Sequence, residues 1–132
     1  MEYRQFYQRL KSVLPEGTVL ENPGSGTTTI MTYTDSNLVY KRGNSLISVA
    51  ITHLFQAYKE FRGRDVSSTD LRKFAPRVFN SQASGQSSNC TMFFLILKMT
   101  GIIDRIKGEG RRGSPYWVTI PSGYEKNIFM EI

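Results

Sequence analysis

The chain is 132 residues long, a length that suits one compact domain around one core. Hydrophobic residues make up 39%, enough to fold and too many for a disordered tail, and no apolar run approaches the roughly 18 residues needed to cross a membrane. The formal net charge is +6, which favours polyanionic partners and makes the placement of charge along the chain the informative quantity.

The N-terminus, "MEYRQFYQRL", is charged and aromatic and lacks the apolar stretch of a secretory signal, so an intracellular location is expected. Residues 2–14 carry Tyr3, Phe6, Tyr7, Leu10, Val13 and Leu14 at helical spacing, and Pro15 and Gly17 stop that helix. The period then changes. "TVLEN", "TTTIMTYT", "NLVYKRG" and "SLISVAI" are rich in Val, Ile, Thr and Tyr and are separated by "NPGSG", "DSN" and "GN", which predicts three or four short antiparallel strands. "NPGSG" reads as a turn; no Lys–Ser/Thr follows it, as a phosphate loop would require.

Helical spacing returns with Ile51, Leu54, Phe55, Tyr58 and Phe61, and Gly63 is the stop. "RDV" allows a very short strand. In "VSSTDL", Ser67 is placed to cap a second helix with Asp70 three positions on, and Val66 and Leu71 sit at the two positions of a hydrophobic staple. Leu71 and Phe74 are expected to face inward, and Arg72, Lys73 and Arg77 outward, with Pro76 ending or bending the helix near Ala75. "NSQASGQSSN", residues 80–89, is polar and aperiodic, so it is read as a loop that delivers a third helix, "CTMFFLILKMTG", with Ser87 or Ser88 as its cap and Gly101 as its end. Ile103 with Arg105, and Tyr116, Val118 and Ile120, suggest two strands flanking the glycine-rich basic loop "KGEGRRGSPYW". The tail, residues 121–132, is partly apolar and is expected to pack back on the domain or to meet a partner.

Cys90 is the only cysteine and His53 the only histidine, which excludes an intrachain disulfide and a cysteine-based zinc site within one chain. A Cys90–His53 nucleophile pair competes with a plain core role for Cys90, and the apolar helix that follows favours the core. Metalloprotease, nucleophile-elbow and P-loop motifs are all missing from the sequence. A non-catalytic protein without cofactor or metal is therefore expected.

From residue 51 onward the order is helix, very short strand, capped helix, loop, helix, strand, basic loop, strand. This order resembles the winged helix-turn-helix family over residues 51–120, with "GRDVSSTDL" and "LKMTGIIDRIKGEGRRGSPYWVTI" carrying the likeness. The resemblance implies double-stranded DNA binding, with the first turn of the third helix and the wing as contact surfaces. The residues at those places are Gln86, Ser87, Ser88, Asn89 and Thr91 on the helix and Lys107, Arg111 and Arg112 on the wing. Arg72, Lys73 and Arg77 would add phosphate contacts from the second helix. The same residues also suit caps, a solvated turn and the wet face of an amphipathic helix.

One feature departs from the family pattern. "MFFLILKM" has no polar outer face, so either only the first turn of the helix reads DNA or the helix is buried by the N-terminal sheet. The expected fold class is α+β: a winged helix with an N-terminal helix and a small antiparallel sheet, residues 1–50, packed on the same domain. That extension enlarges the core, forms a homodimer or partner interface, or holds a second binding surface, for which Lys41 and Arg42 are suited. The functional expectation is a small regulator or the DNA-recognition module of a larger transcription, restriction or defence assembly. The alternatives are a protein-interaction module, suggested by the apolar third helix and "NIFMEI", and an RNA-binding domain with aromatics on a sheet. A nuclease ranks last, since Glu2, Glu16, Glu21, Asp35 and Asp65 show no metal-ligand spacing.

Overall fold

A computed structural model describes residues 1–123. Helix α1, Tyr3–Val13, leads into strands β1 (Val19–Glu21), β2 (Thr27–Thr34), β3 (Asn37–Arg42) and β4 (Ser45–Ala50). Helix α2, Ile51–Phe61, follows β4 without a linker. Then come β5 (Asp65–Ser67), α3 (Ser68–Phe74), α4 (Pro76–Phe79), a 3-10 turn (Ser81–Ala83), α5 (Ser88–Met99) and β6 (Trp117–Thr119). The fold is α+β.

Strands β1 to β4 form an antiparallel meander in sequence order. Alternation turns Leu20, Ile30, Leu38, Tyr40, Ile47 and Val49 to one buried face. A bulge between Ile30 and Thr32 resets the register of β2 against β3. The apolar stripe of α1 packs against that of α2, with the Phe6 ring 5.5 Å from Phe55 and 6.2 Å from Tyr58. Sheet, α1, α2 and the C-terminal helices contribute to one continuous core, from Phe6 to Ile120.

Helix α5 runs through the middle of that core. Nine of its twelve residues, Asn89 to Leu97, are buried, because the sequence gives it no polar stripe. Of "MFFLILKM", Met92 to Leu97 are buried, and Lys98 and Met99 at the end of the helix are exposed.

The start of α3 follows its local sequence. Asp70 N–H donates to Ser67 Oγ at 3.1 Å and Ser67 N–H donates to Asp70 Oδ2 at 2.9 Å, while Val66 and Leu71 are fully buried. Pro76 cannot continue α3, so it opens α4 as its first residue, and Arg77 stands on that separate turn. Phe74, expected inside, is 40% exposed and leans edge-on against Phe61.

Two expected features take other forms. Ser87 adopts helical backbone angles and makes no side-chain cap to α5; its hydroxyl donates to Ser81 Oγ instead. Ile103–Arg105 is no strand, for a local reason. Gly101 adopts a left-handed φ of 82° at the end of α5, and the amides of Ile102 and Ile103 both fold back onto the Leu97 carbonyl, turning both isoleucines inward. The ladder partner of β6 is β5, with Val66 opposite Val118. On its other edge β6 keeps a single bridge, Lys107 to Trp117, closed by two 2.9 Å hydrogen bonds.

Candidate nucleic-acid interface

The loop from Lys107 to Tyr116 is a built turn. The amides of Glu109, Gly110 and Arg111 converge on the Ser114 carbonyl at 3.1, 2.9 and 3.2 Å, and Ser114 N–H returns to the Arg111 carbonyl at 2.9 Å. Gly110 is required here twice over. Its φ is +74°, and a Cβ would run into the Tyr116 ring on which its backbone lies. The result lifts Arg111 and Arg112 to the tip, both exposed. Arg111 Nε pairs with Glu109 Oε2 at 2.6 Å, but the two side chains are 74% and 55% exposed, so the pair holds Arg111 only weakly.

Beside this tip lies an open groove of about 580 Å³. Arg111, Arg112 and Tyr116 form one wall, Ser68, Thr69 and Arg72 of α3 another, and Ser87, Ser88 and Thr91 of the first turn of α5 the floor, with Arg42 of β3 at the end. The charged side chains that line it are four arginines and no acid. Arg72 is steadied by a 3.4 Å bond from its Nη2 to Thr69 Oγ1. Like charges gathered around one groove repel one another, and an anion laid between them removes that repulsion. Guanidinium groups also match phosphate with paired donors.

The first turn of α5 is fixed from behind by the sheet. Tyr40 is buried, and its hydroxyl donates to Asn89 Oδ1 at 2.7 Å. That uses its single proton, so Ser88, 3.0 Å away, donates its hydroxyl hydrogen to Tyr40. Asn89 Nδ2 in turn donates to the Val78 carbonyl at 2.9 Å. Burial pushes the Tyr40 phenol up to about 12, so it remains a donor at neutral pH.

The groove brings together Arg72, Ser87, Ser88, Thr91, Arg111 and Arg112 from the expected set. Asn89 has a different place: its carboxamide is buried and bonded within the fold at both ends, leaving nothing to offer a base edge. Arg77 and Gln86 line a separate shallow concavity with His53. Lys73 is exposed on α3 outside the groove. Lys107 turns away from it; its ammonium lies 4.5 Å from the Trp117 ring centre and it lines a concavity with Asp104 and Arg105. Sequence reasoning missed Ser68 and Thr69; it offered Arg42 for a second surface rather than for this groove, and it read Tyr116 as a strand residue. Strand alternation carried the signal for Arg42, which shares a face with Tyr40 two residues before it.

The groove has no nucleophile ready for chemistry. Cys90 lies beneath it, where burial pushes its thiol up to about 11, and it sits 3.8 Å from the Ser68 carbonyl and 3.7 Å from that of Phe79. His53 belongs to the other concavity. Among the described residues no group of three or more His, Cys, Asp or Glu is placed to hold a metal ion, and no helix is long and apolar enough to cross a membrane. The apolar tail expected to meet a partner lies, from residue 124, outside the described residues. Protein-family models, curated proteins and solved structures yield no match to this chain.

Proposed function

We propose that this chain is a non-catalytic double-stranded DNA-binding protein of winged-helix type, either a small regulator or the recognition module of a larger assembly. The observation that carries the reading is the arginine groove: four guanidinium groups and a set of hydroxyl donors, with no acid in its lining, beside a hydrogen-bonded glycine-rich loop. Arg111 and Arg112 at the loop tip grip phosphates or enter a narrow minor groove. Helix α5 is too deeply buried to lie along a major groove, so only Ser87, Ser88 and Thr91 of its first turn approach the duplex. Binding in this mode is dominated by the phosphate backbone.

Two alternatives have weaker support. The strand tyrosines offer a poor stacking platform for single-stranded RNA, since Tyr40 is buried and the Lys11 ammonium lies 5.7 Å from the centre of the Tyr33 ring. A protein-interaction role finds one favourable observation, the exposure of Val19, Met31 and Leu46 on the sheet.

The test is a titration of duplex DNA, single-stranded DNA and RNA across a salt series. If each groove arginine neutralises one phosphate, the slope of log K against log salt is about −3.6 for duplex, and Arg111→Ala with Arg112→Ala reduces its magnitude by about 1.8. An unchanged affinity and slope in that double variant would remove the loop from the binding mechanism.

A further inference from the structure

The arginine groove does not stop at the helical part of the molecule. Arg42, at its end, also lines a second concavity of about 590 Å³ at the end of the sheet. That surface is built from the β1–β2 turn, with Ser25, Gly26 and Thr27, and from the β3–β4 turn, with Lys41, Arg42 and Gly43. It too carries cations and hydroxyls and no acid.

We propose that this sheet end is the second half of one duplex-binding surface, a phosphate subsite that continues the arginine groove onto residues 1–50. The inference rests on the DNA-binding reading above. Three features support it. Lys41 and Arg42 are neighbours on one strand, so their side chains leave opposite faces of the sheet, and a phosphate backbone crossing the end of the sheet meets both. The β1–β2 turn is held internally: Thr28 donates its hydroxyl to Asn22 Oδ1 at 2.6 Å, and Asn22 Nδ2 donates to the Ser25 carbonyl at 3.2 Å. The turn is also held against the arginine loop. A Cβ on Gly24 would come within 2.9 Å of the Tyr116 hydroxyl, and the same ring supports Gly110. Tyr116 therefore lies against both the β1–β2 turn and the loop tip, which brings the two halves of the surface side by side.

Residues 1–50 thus have a role beyond enlarging the core. They lengthen the track of positive charge beyond the loop and the first turn of α5. The occupant is the same polyanion that fills the groove, because Arg42 belongs to both concavities.

The experiment compares wild type, Lys41→Ala/Arg42→Ala, Arg111→Ala/Arg112→Ala, and a control, Arg4→Ala/Lys98→Ala, that removes equal charge from exposed positions outside both concavities. Duplex affinity is read across a salt series, with circular dichroism confirming the fold of each variant. The sheet-end variant is expected to bind roughly tenfold more weakly near 0.1 M salt and to lose about 1.8 from the magnitude of the salt slope. The control is expected to keep the wild-type slope. A sheet-end variant that loses no more than about 0.9 from the magnitude of the slope, the share Arg42 already has in the groove, alongside a weakened Arg111/Arg112 variant, overturns the extended track and leaves the DNA-binding reading intact. A control that loses as much as the sheet-end variant also overturns it, since net charge alone would explain the effect. A wild-type protein with no duplex affinity at low salt overturns both.

Discussion

Replacing Tyr40 with Phe isolates the bond that joins the sheet to the first turn of α5. Phenylalanine keeps the buried ring and its packing and removes one hydroxyl. The Asn89 carboxamide oxygen, which receives that hydroxyl's proton at 2.7 Å on a residue only 3% exposed, is left buried without a donor. Such a loss costs about 1–3 kcal/mol. Ser88 is half-buried and turns its hydroxyl to water, so it adds little. An unfolding entropy of about 2.1 cal/mol/K per residue gives about 0.28 kcal/mol/K for the whole chain, so a loss of about 2 kcal/mol lowers Tm by about 7 °C. Thermal unfolding followed by circular dichroism at neutral pH measures it. A Tm indistinguishable from that of the wild type would refute the reasoning. It would mean that the sheet does not fix α5 through this bond and that the Asn89 carboxamide is free for other use.

Alkali should weaken the fold in a defined window. Burial raises Cys90 from 9.0 to about 11 and Tyr40 from 10.0 to about 12, so above the lower values the unfolded chain holds fewer protons than the native one. The stability tied to these groups is intact below about pH 9 and is lost as pH rises through the native values. Urea midpoints that stay constant from about pH 8 to pH 11 would contradict this. Gly110→Ala forces a side chain into the Tyr116 ring at a left-handed backbone position, at a strain of about 1–2 kcal/mol. It is expected to displace the loop tip and weaken duplex binding while the far-ultraviolet spectrum stays native; wild-type affinity in this variant would mean that the position of the tip is unimportant.

Local signals proved readable in the sequence and long-range ones did not. The capping box at Ser67 and Asp70 and the stripes of α1 and α2 are written within a few residues, and the structure repeats them. The fate of Ile102 and Ile103 depended on which carbonyl their amides would choose. The alternation of "IIDRI" looked like a strand, but the left-handed Gly101 sent both amides back to Leu97. The groove was half legible. Arg111, Arg112 and Arg72 stood out as charge near turns and caps. Strand alternation put Arg42 on the face of Tyr40, but its place at this groove depended on the pairing of Tyr40 with Asn89, 49 residues apart in the chain, which no local pattern encodes. The same pairing withdrew Asn89 from the surface.

The burial of nine of the twelve residues of α5 has a consequence for how the chain behaves as material. The helix packs against α3 and α4, and the sheet reaches its first turn through Tyr40. Its amides therefore exchange with solvent only when the whole molecule opens, and α5 reports the global stability where the termini and the loop report their own. The boundary at residue 50, clear in the change of period, is not a place where the chain can be divided. A fragment beginning at Ile51 would carry α5 with one flank bare, an apolar surface that seeks other copies of itself.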